Sequence, residues 1–143
     1  MYIKVKLSKE YNGEAPSYAK EGDAGIDLFA TEIISENDEQ IVYDTGFAIE
    51  IPIGYVGLVY PRSSIRKKDL IMANSVGIID SGYRGNIQCT FLRTPVADID
   101  NIYIVGERIC QIIIMPIPTI NFIPVKKISQ TVRGYSGHGS TGN

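Results

Sequence analysis

Five short stretches hold nearly all the side chains with chemical reach. In "AGIDLFA", Asp27 sits between Ile26 and Leu28, although aspartate is depleted from strands. It either points to solvent from a polar face or aims a carboxylate at a cation and its water shell. In "YPRSSIRKK", Arg62 offers a planar fork that matches phosphate, and Ser63 and Ser64 offer hydroxyls beside it. A capped surface helix with a basic face fits the same residues. In "ANSVGIIDSGYRG", Asp80 follows an apolar run and precedes a Ser-Gly-Tyr turn. It is either a turn aspartate bonding its own backbone or a carboxylate able to polarise water, with the Tyr83 ring close by. In "GERICQIII", Gln111 is polar among Ile109, Cys110 and Ile112, as an outward strand position often is. The chain closes with "RGYSGHGSTGN", where its single histidine, His138, lies among glycines and hydroxyl residues. That composition reads as a disordered tail unless an anion orders it.

The inventory excludes several chemistries. One histidine and no P-loop make a nucleophile–histidine triad a poor fit. Cys89 and Cys110 lack C-x-x-C spacing and lie in apolar runs, so they read as buried free thiols of a reducing compartment. With 14 Lys and Arg against 16 Asp and Glu, the net charge of −2 is no footprint for duplex DNA or an anionic membrane. "MYIKVKL" is broken by Lys4 and Lys6 and is not a signal peptide, and "CQIIIMPIPTI" is too short to span a bilayer. A cytoplasmic protein that binds neither nucleic acid nor membrane is expected.

The elements that position these residues show period two. "YIKVKL" sets Ile3, Val5 and Leu7 against Lys4 and Lys6; "GFAIEIP" sets Phe47, Ile49 and Ile51 against Ala48 and Glu50. "NIQCTFLR" sets Ile87, Cys89 and Phe91 against Gln88 and Thr90. "EQIVYD", "GYVGLVY", "NIYIV" and "RICQIIIM" add further strands, separated by turn clusters. About ten short strands predict an all-β sandwich or barrel. One short helix is expected in "PRSSIRKKDLIMA", capped by a serine and using Ile65, Leu70 and Ile71. The 143 residues suffice for one domain without a disulfide or metal staple. Only the last ten or so residues look detachable.

Taken in order, A-G-x-D-L, P-R-S-S, G-x-I-D-x-x-Y-R-G, G-x-R-x-x-Q and R-G-x-x-G-x-G-S-T-G run from Ala24 to Gly142. This series resembles the five motifs of the trimeric dUTP pyrophosphatases, the dUTPases. Two positions depart from the usual pattern. Ser64 stands where a glycine is common, and His138 stands where the tail usually has phenylalanine.

The resemblance implies a distorted jelly-roll-like barrel over residues 1–132 and a C-terminal arm over 133–143. It implies hydrolysis of dUTP to dUMP and pyrophosphate, which limits uracil in DNA and supplies dUMP for dTTP synthesis. Asp80 becomes the base that activates water against the α-phosphorus. Arg62, Ser63, Ser64 and Gln111 hold the phosphates. Magnesium bridges them, with Asp27 reaching it through water. A hairpin holding Asn74 to Tyr83 sets Asn74 and the backbone of Gly77, Ile78 and Ile79 on the uracil edge, Tyr83 packs on the deoxyribose, and Gln88 joins the substrate contacts. Arg133, Gly139, Ser140 and Thr141 bind the terminal phosphate end, and His138 covers the base. The arm closes over the site of a neighbouring subunit in a homotrimer. The deaminases of the same fold place a catalytic glutamate ten residues after the turn aspartate, where this chain has Thr90. A binding protein without turnover is expected to lack Asp80 or the tail arginine, and both are present.

Overall fold

Alternation along the chain resolves into ten strands in the computed structural model, which describes residues 1–95 and 101–135. They are β1 (Lys4–Leu7), β2 (Ile26–Phe29), β3 (Glu32–Glu36), β4 (Gln40–Asp44), β5 (Phe47–Glu50), β6 (Tyr55–Pro61), β7 (Leu70–Met72), β8 (Gly77–Ile79), β9 (Gln88–Arg93) and β10 (Arg108–Pro116). Two four-stranded sheets, ordered β2-β10-β6-β8 and β3-β4-β9-β7, form the body, and β1 pairs with β5 as a separate ribbon. Every pairing is antiparallel. The result is the expected all-β, distorted jelly-roll-like sandwich.

Inward positions fill one core. Ile87, Cys89 and Phe91 are each 1% exposed or less, as the alternation predicts. Tyr43 of β4 donates its hydroxyl to the Tyr103 carbonyl at 2.7 Å and packs edge-on against the Phe91 and Tyr103 rings. Buried tyrosines need such a partner. Cys89 of β9 meets Cys110 of β10 at 3.3 Å, a thiol contact that joins the two sheets through the core; both cysteines are free.

Four local expectations differ. "NIYIV" forms no strand: Lys68 holds the Ile102 carbonyl at 2.7 Å and the Glu107 carboxylate at 3.1 Å, and Glu107 accepts the Ile104 N–H. Side chains satisfy that backbone, so no sheet partner is needed. The expected helix is a five-residue 3₁₀ turn, Ser63–Lys67, with no side-chain cap. Leu70 and Ile71 belong instead to β7, which pairs with β9. Asn74 to Tyr83 is no local hairpin, because β7 and β8 lie in different sheets and β8 pairs with β6. Ser75, at φ 58°, turns the crossing between them. Val5 is 40% exposed while its partner Ile49 is 6% exposed, so the ribbon buries β5 and leaves β1 on the outside.

Among the described residues, regular structure ends at Pro116. Residues 117–135 carry neither helix nor strand and are exposed throughout. No helix among the described residues is long and apolar enough to cross a membrane.

Candidate active site

Strand register builds the first half of the site. β10 lies between β2 and β6, so Gln111 has Asp27 on one side and Tyr60 on the other. Arg62 follows two residues after Tyr60, at the end of β6, and lands beside Asp27. Its Nε donates to Asp27 Oδ1 at 2.6 Å and its Nη2 to Oδ2 at 3.1 Å. Such a bidentate pair fixes the guanidinium plane as well as its position. Arg108 Nη1 donates to the same Oδ2 at 3.2 Å, so one carboxylate serves two arginines. Gln111 donates to the Pro61 carbonyl at 3.2 Å, and its side chain lies so close to Gly25 that a Cβ there would overlap it. A side chain at that position of the first motif would push the Gln111 amide out of its present place.

Above this row opens a cleft of about 720 Å³, lined by Arg62, Ser64, Lys67, Lys68 and Arg108. Arg62 Nη1 approaches Ser64 Oγ at 3.4 Å. Glu107 is the acidic group on that wall, and Lys68 engages it. Burial pushes the Glu107 carboxyl up, but the Ile104 amide and the Lys68 ammonium together hold it below the usual carboxylate value. The cleft is left with an excess of cationic and hydroxyl donors, which suits a polyanion. The 3₁₀ turn is too short for a strong dipole, so side-chain charge does this work.

The second half stands apart. Ile78, Ile79, Asp80, Tyr83, Ile87 and Gln88 line a separate cleft of about 200 Å³. Asp80 is exposed, and no side chain among the described residues bonds its carboxylate. Its carbonyl accepts the Tyr83 N–H at 3.1 Å, closing the turn. Tyr83 folds back over Gly85, where a Cβ would come within 2.7 Å of Tyr83 Cζ, and donates to the Asn86 carbonyl at 2.8 Å. Gln88 turns its amide towards Asp44 at 3.4 Å. Gly77 is buried against Val59, Ile78 is 68% exposed, and Asn74 is exposed just before them.

Register also gives the distance between the halves. Ile79, the neighbour of Asp80, pairs with Gly57. Arg62 lies five residues farther along that strand, which at ~3.3 Å per residue is roughly 17 Å. One chain therefore brings Asp27, Arg62, Ser64 and Gln111 together, and Asp80 and Tyr83 together, but not the two groups with each other. Arg133 is exposed in the C-terminal segment. His138, Gly139, Ser140 and Thr141 lie outside the described residues.

Sequence reasoning gave Arg108 no role. By parity Arg108 and Gln111 fall on opposite faces of a strand, but a bulge between Arg108 and Cys110 adds a residue and returns Arg108 to the side of Asp27. Its place as the arginine of G-x-R-x-x-Q was the available signal.

Comparison with known proteins gives a consistent result. The dUTPase family model matches residues 11–142. The chain is similar to the deoxyuridine 5'-triphosphate nucleotidohydrolase of Corynebacterium glutamicum, 41% identical over 142 residues, covering 96% of this chain and 92% of that protein. A relative of the same name from Escherichia phage T5 is 37% identical, with 99% of both chains covered. A mutant dUTPase of Staphylococcus bacteriophage 80alpha, solved with dUpNHpp, matches at TM-score 0.83 and 32% identity over 99% of each chain.

Proposed function

The chain belongs to the dUTPase family and is an enzyme that hydrolyses dUTP to dUMP; from that premise we propose that the basic cleft holds the triphosphate, that Asp80 activates the water, and that neighbouring copies of the chain bring the two together. The observation that carries this is the separation of the halves. Among the described residues, the cleft with cations is lined by no free carboxylate, and the cleft with the free carboxylate is lined by no cation. Neither can cleave a triphosphate alone. A cyclic homotrimer, with each site built between subunits, completes both at once.

In the assembled site Arg62, Ser63, Ser64, Arg108 and Gln111 bind phosphate oxygens and hold the chain extended. Asp80 accepts a proton from water as the water oxygen bonds to the α-phosphorus. The bond from that phosphorus to the α–β bridging oxygen breaks, and pyrophosphate leaves with the bond's electron pair. Positioning and charge neutralisation supply most of the acceleration in such transfers. Backbone groups of Gly77 to Ile79, with Asn74, read the uracil edge; cytosine presents the opposite pattern and leaves buried groups unpaired. Tyr83 forms the wall beside C2′ of the sugar. Arg133 and residues 138–141 close over the nucleotide, with the His138 ring on the base.

No group of three or more His, Cys, Asp or Glu gathers among the described residues, so these residues offer a cation no cage. A single carboxylate beside phosphate-binding arginines fits an ion that takes its ligands mainly from phosphate and water, which is the habit of magnesium. When bound, magnesium supplies charge neutralisation across the phosphate oxygens. Asp27 would be the residue that holds such an ion, through water, with Arg62 and Arg108 turned to the phosphates.

Asp80→Asn tests the base. The amide keeps the turn and cannot take a proton, so pyrophosphate release from dUTP should fall by orders of magnitude while dUTP binding stays within a few-fold. Turnover close to that of the parent enzyme would remove Asp80 from the role.

A further inference from the structure

One buried charge lies outside both clefts. Asp44 ends β4, only 9% exposed, and the other carboxylates among the described residues are at the surface or half-buried. A buried carboxylate is costly unless its oxygens are filled with hydrogen bonds. Here they are. Oδ1 accepts the Gly46 N–H at 2.5 Å and the Asn86 side-chain amide at 3.1 Å, and Oδ2 faces the Gln88 amide at 3.4 Å.

Two of those donors, Asn86 and Gln88, belong to the segment that carries Tyr83. Asn86 is gripped by Asp44 through its side chain, and its own carbonyl grips the Tyr83 hydroxyl at 2.8 Å. The neighbouring backbone is pinned on the same side: Thr45 donates its N–H and hydroxyl to the Ile87 carbonyl at 3.0 and 2.7 Å, and Ile87 donates to Phe47. Gly85 leaves room for the ring between these two fixed points. Without the Asp44 contact, Asn86 keeps its chain neighbours but loses the bond that sets its orientation. The carbonyl that anchors the phenol then loses one of its two restraints and is held only through the Ile87 N–H of its own peptide plane.

We propose that Asp44 is a positioning residue for sugar discrimination: acting through Asn86, it fixes the Tyr83 ring and so sets the preference for deoxyribose over ribose. This rests on the reading of Tyr83 as the wall beside C2′. A wall discriminates only while it cannot yield, because a ring that swings by an ångström admits a hydroxyl. The hydrogen bonds that stop it swinging are therefore as much a part of specificity as the ring.

The test is the ratio of kcat/KM for dUTP to that for UTP in Asp44→Ala, Asn86→Ala, the double variant, Asp44→Asn and, as control, Tyr83→Ala. General loss of structure lowers both substrates alike and leaves the ratio unmoved; loss of ring position moves it. Asp44→Ala and Asn86→Ala should each lower the ratio by about tenfold, and the double variant should go no lower, since both break one link. Asp44→Asn keeps an oxygen for Gly46 and Asn86 and should hold the ratio within about twofold of the parent. If Asp44→Ala does not fold, Asn86→Ala decides, because its side chain is only half-buried. A ratio that falls in Tyr83→Ala but stays at the parent value in Asp44→Ala and Asn86→Ala overturns the proposal and leaves the wall intact. A ratio unmoved in Tyr83→Ala removes the wall itself, and the proposal falls with it.

Discussion

Arg62 is held by Asp27 through two parallel hydrogen bonds, 2.6 and 3.1 Å, so the group assigned to the phosphates is already parked against a carboxylate. On the proposed reading, binding a triphosphate would exchange one anion for another and free Asp27 for the cation. Asp27→Asn should therefore shift metal dependence more than substrate binding. The magnesium concentration for half-maximal turnover should rise by about tenfold or more, as loss of a water-mediated metal contact commonly does. An unchanged magnesium titration would count against that role.

Arg108 shares the same carboxylate and is assigned to the same phosphates. Its truncation removes a charge-assisted contact of about 1.5–3 kcal/mol, or roughly 10–100-fold. Arg108→Ala should raise KM for dUTP on that scale, with a smaller change in kcat, and Arg108→Lys should recover part of it. Steady-state kinetics showing KM unaltered in the alanine variant would confine Arg108 to a structural pairing.

Glu107 and Lys68 tie the loop before β10 to the segment after the 3₁₀ turn. The folded-state carboxyl of Glu107 lies below its usual value of 4.5. A depressed carboxyl stabilises the fold above the unfolded value, and that contribution is lost as pH falls through the folded one. Glu107→Gln should lower Tm near pH 7 by only ~1–3 °C, given partial exposure of the pair. The gap between variant and parent should close as the pH drops well below 4.5. A gap that persists in acid would mean that packing, not charge, is responsible.

The Cys89–Cys110 contact is sealed in the core. The Cys89 thiol beside it and burial hold the Cys110 thiol well above its ordinary value, so it stays protonated and unreactive. Neither cysteine should be alkylated by iodoacetamide at pH 8 until the protein is denatured, when mass spectrometry should find both modified. Rapid labelling of the native enzyme would contradict this packing.

Much of the fold was legible because alternation reports directly on which face is buried, as at Ile87, Cys89 and Phe91. The failures share one cause: they depend on partners distant in sequence. "NIYIV" has the composition of a strand, but Lys68 and Glu107 satisfy its backbone. Leu70 and Ile71 suit a helix or a strand, and β9 decides between them. Motifs named Asp27, Arg62, Asp80 and Gln111, since each is a chemical type in a fixed setting. The same motifs could not reveal that Asp80 lies beside the start of β6 and Arg62 just past its end, because that follows from the β6–β8 register. Asp44 was invisible for the same reason: nothing in "IVYDTG" states that its carboxylate will meet Asn86.

Subunit mixing tests the central claim most directly. Asp80→Asn and Arg62→Ala should each be almost inactive alone. Refolded together in equal amounts, they assemble into trimers in which some sites draw an intact Asp80 from one chain and an intact Arg62 from another. With random assembly of a cyclic trimer, about a quarter of the sites meet that condition, so roughly a quarter of the parent pyrophosphate release should return. If base and phosphate grip came from one chain, no intact site could form, and a mixture no more active than its separate components would contradict the shared site.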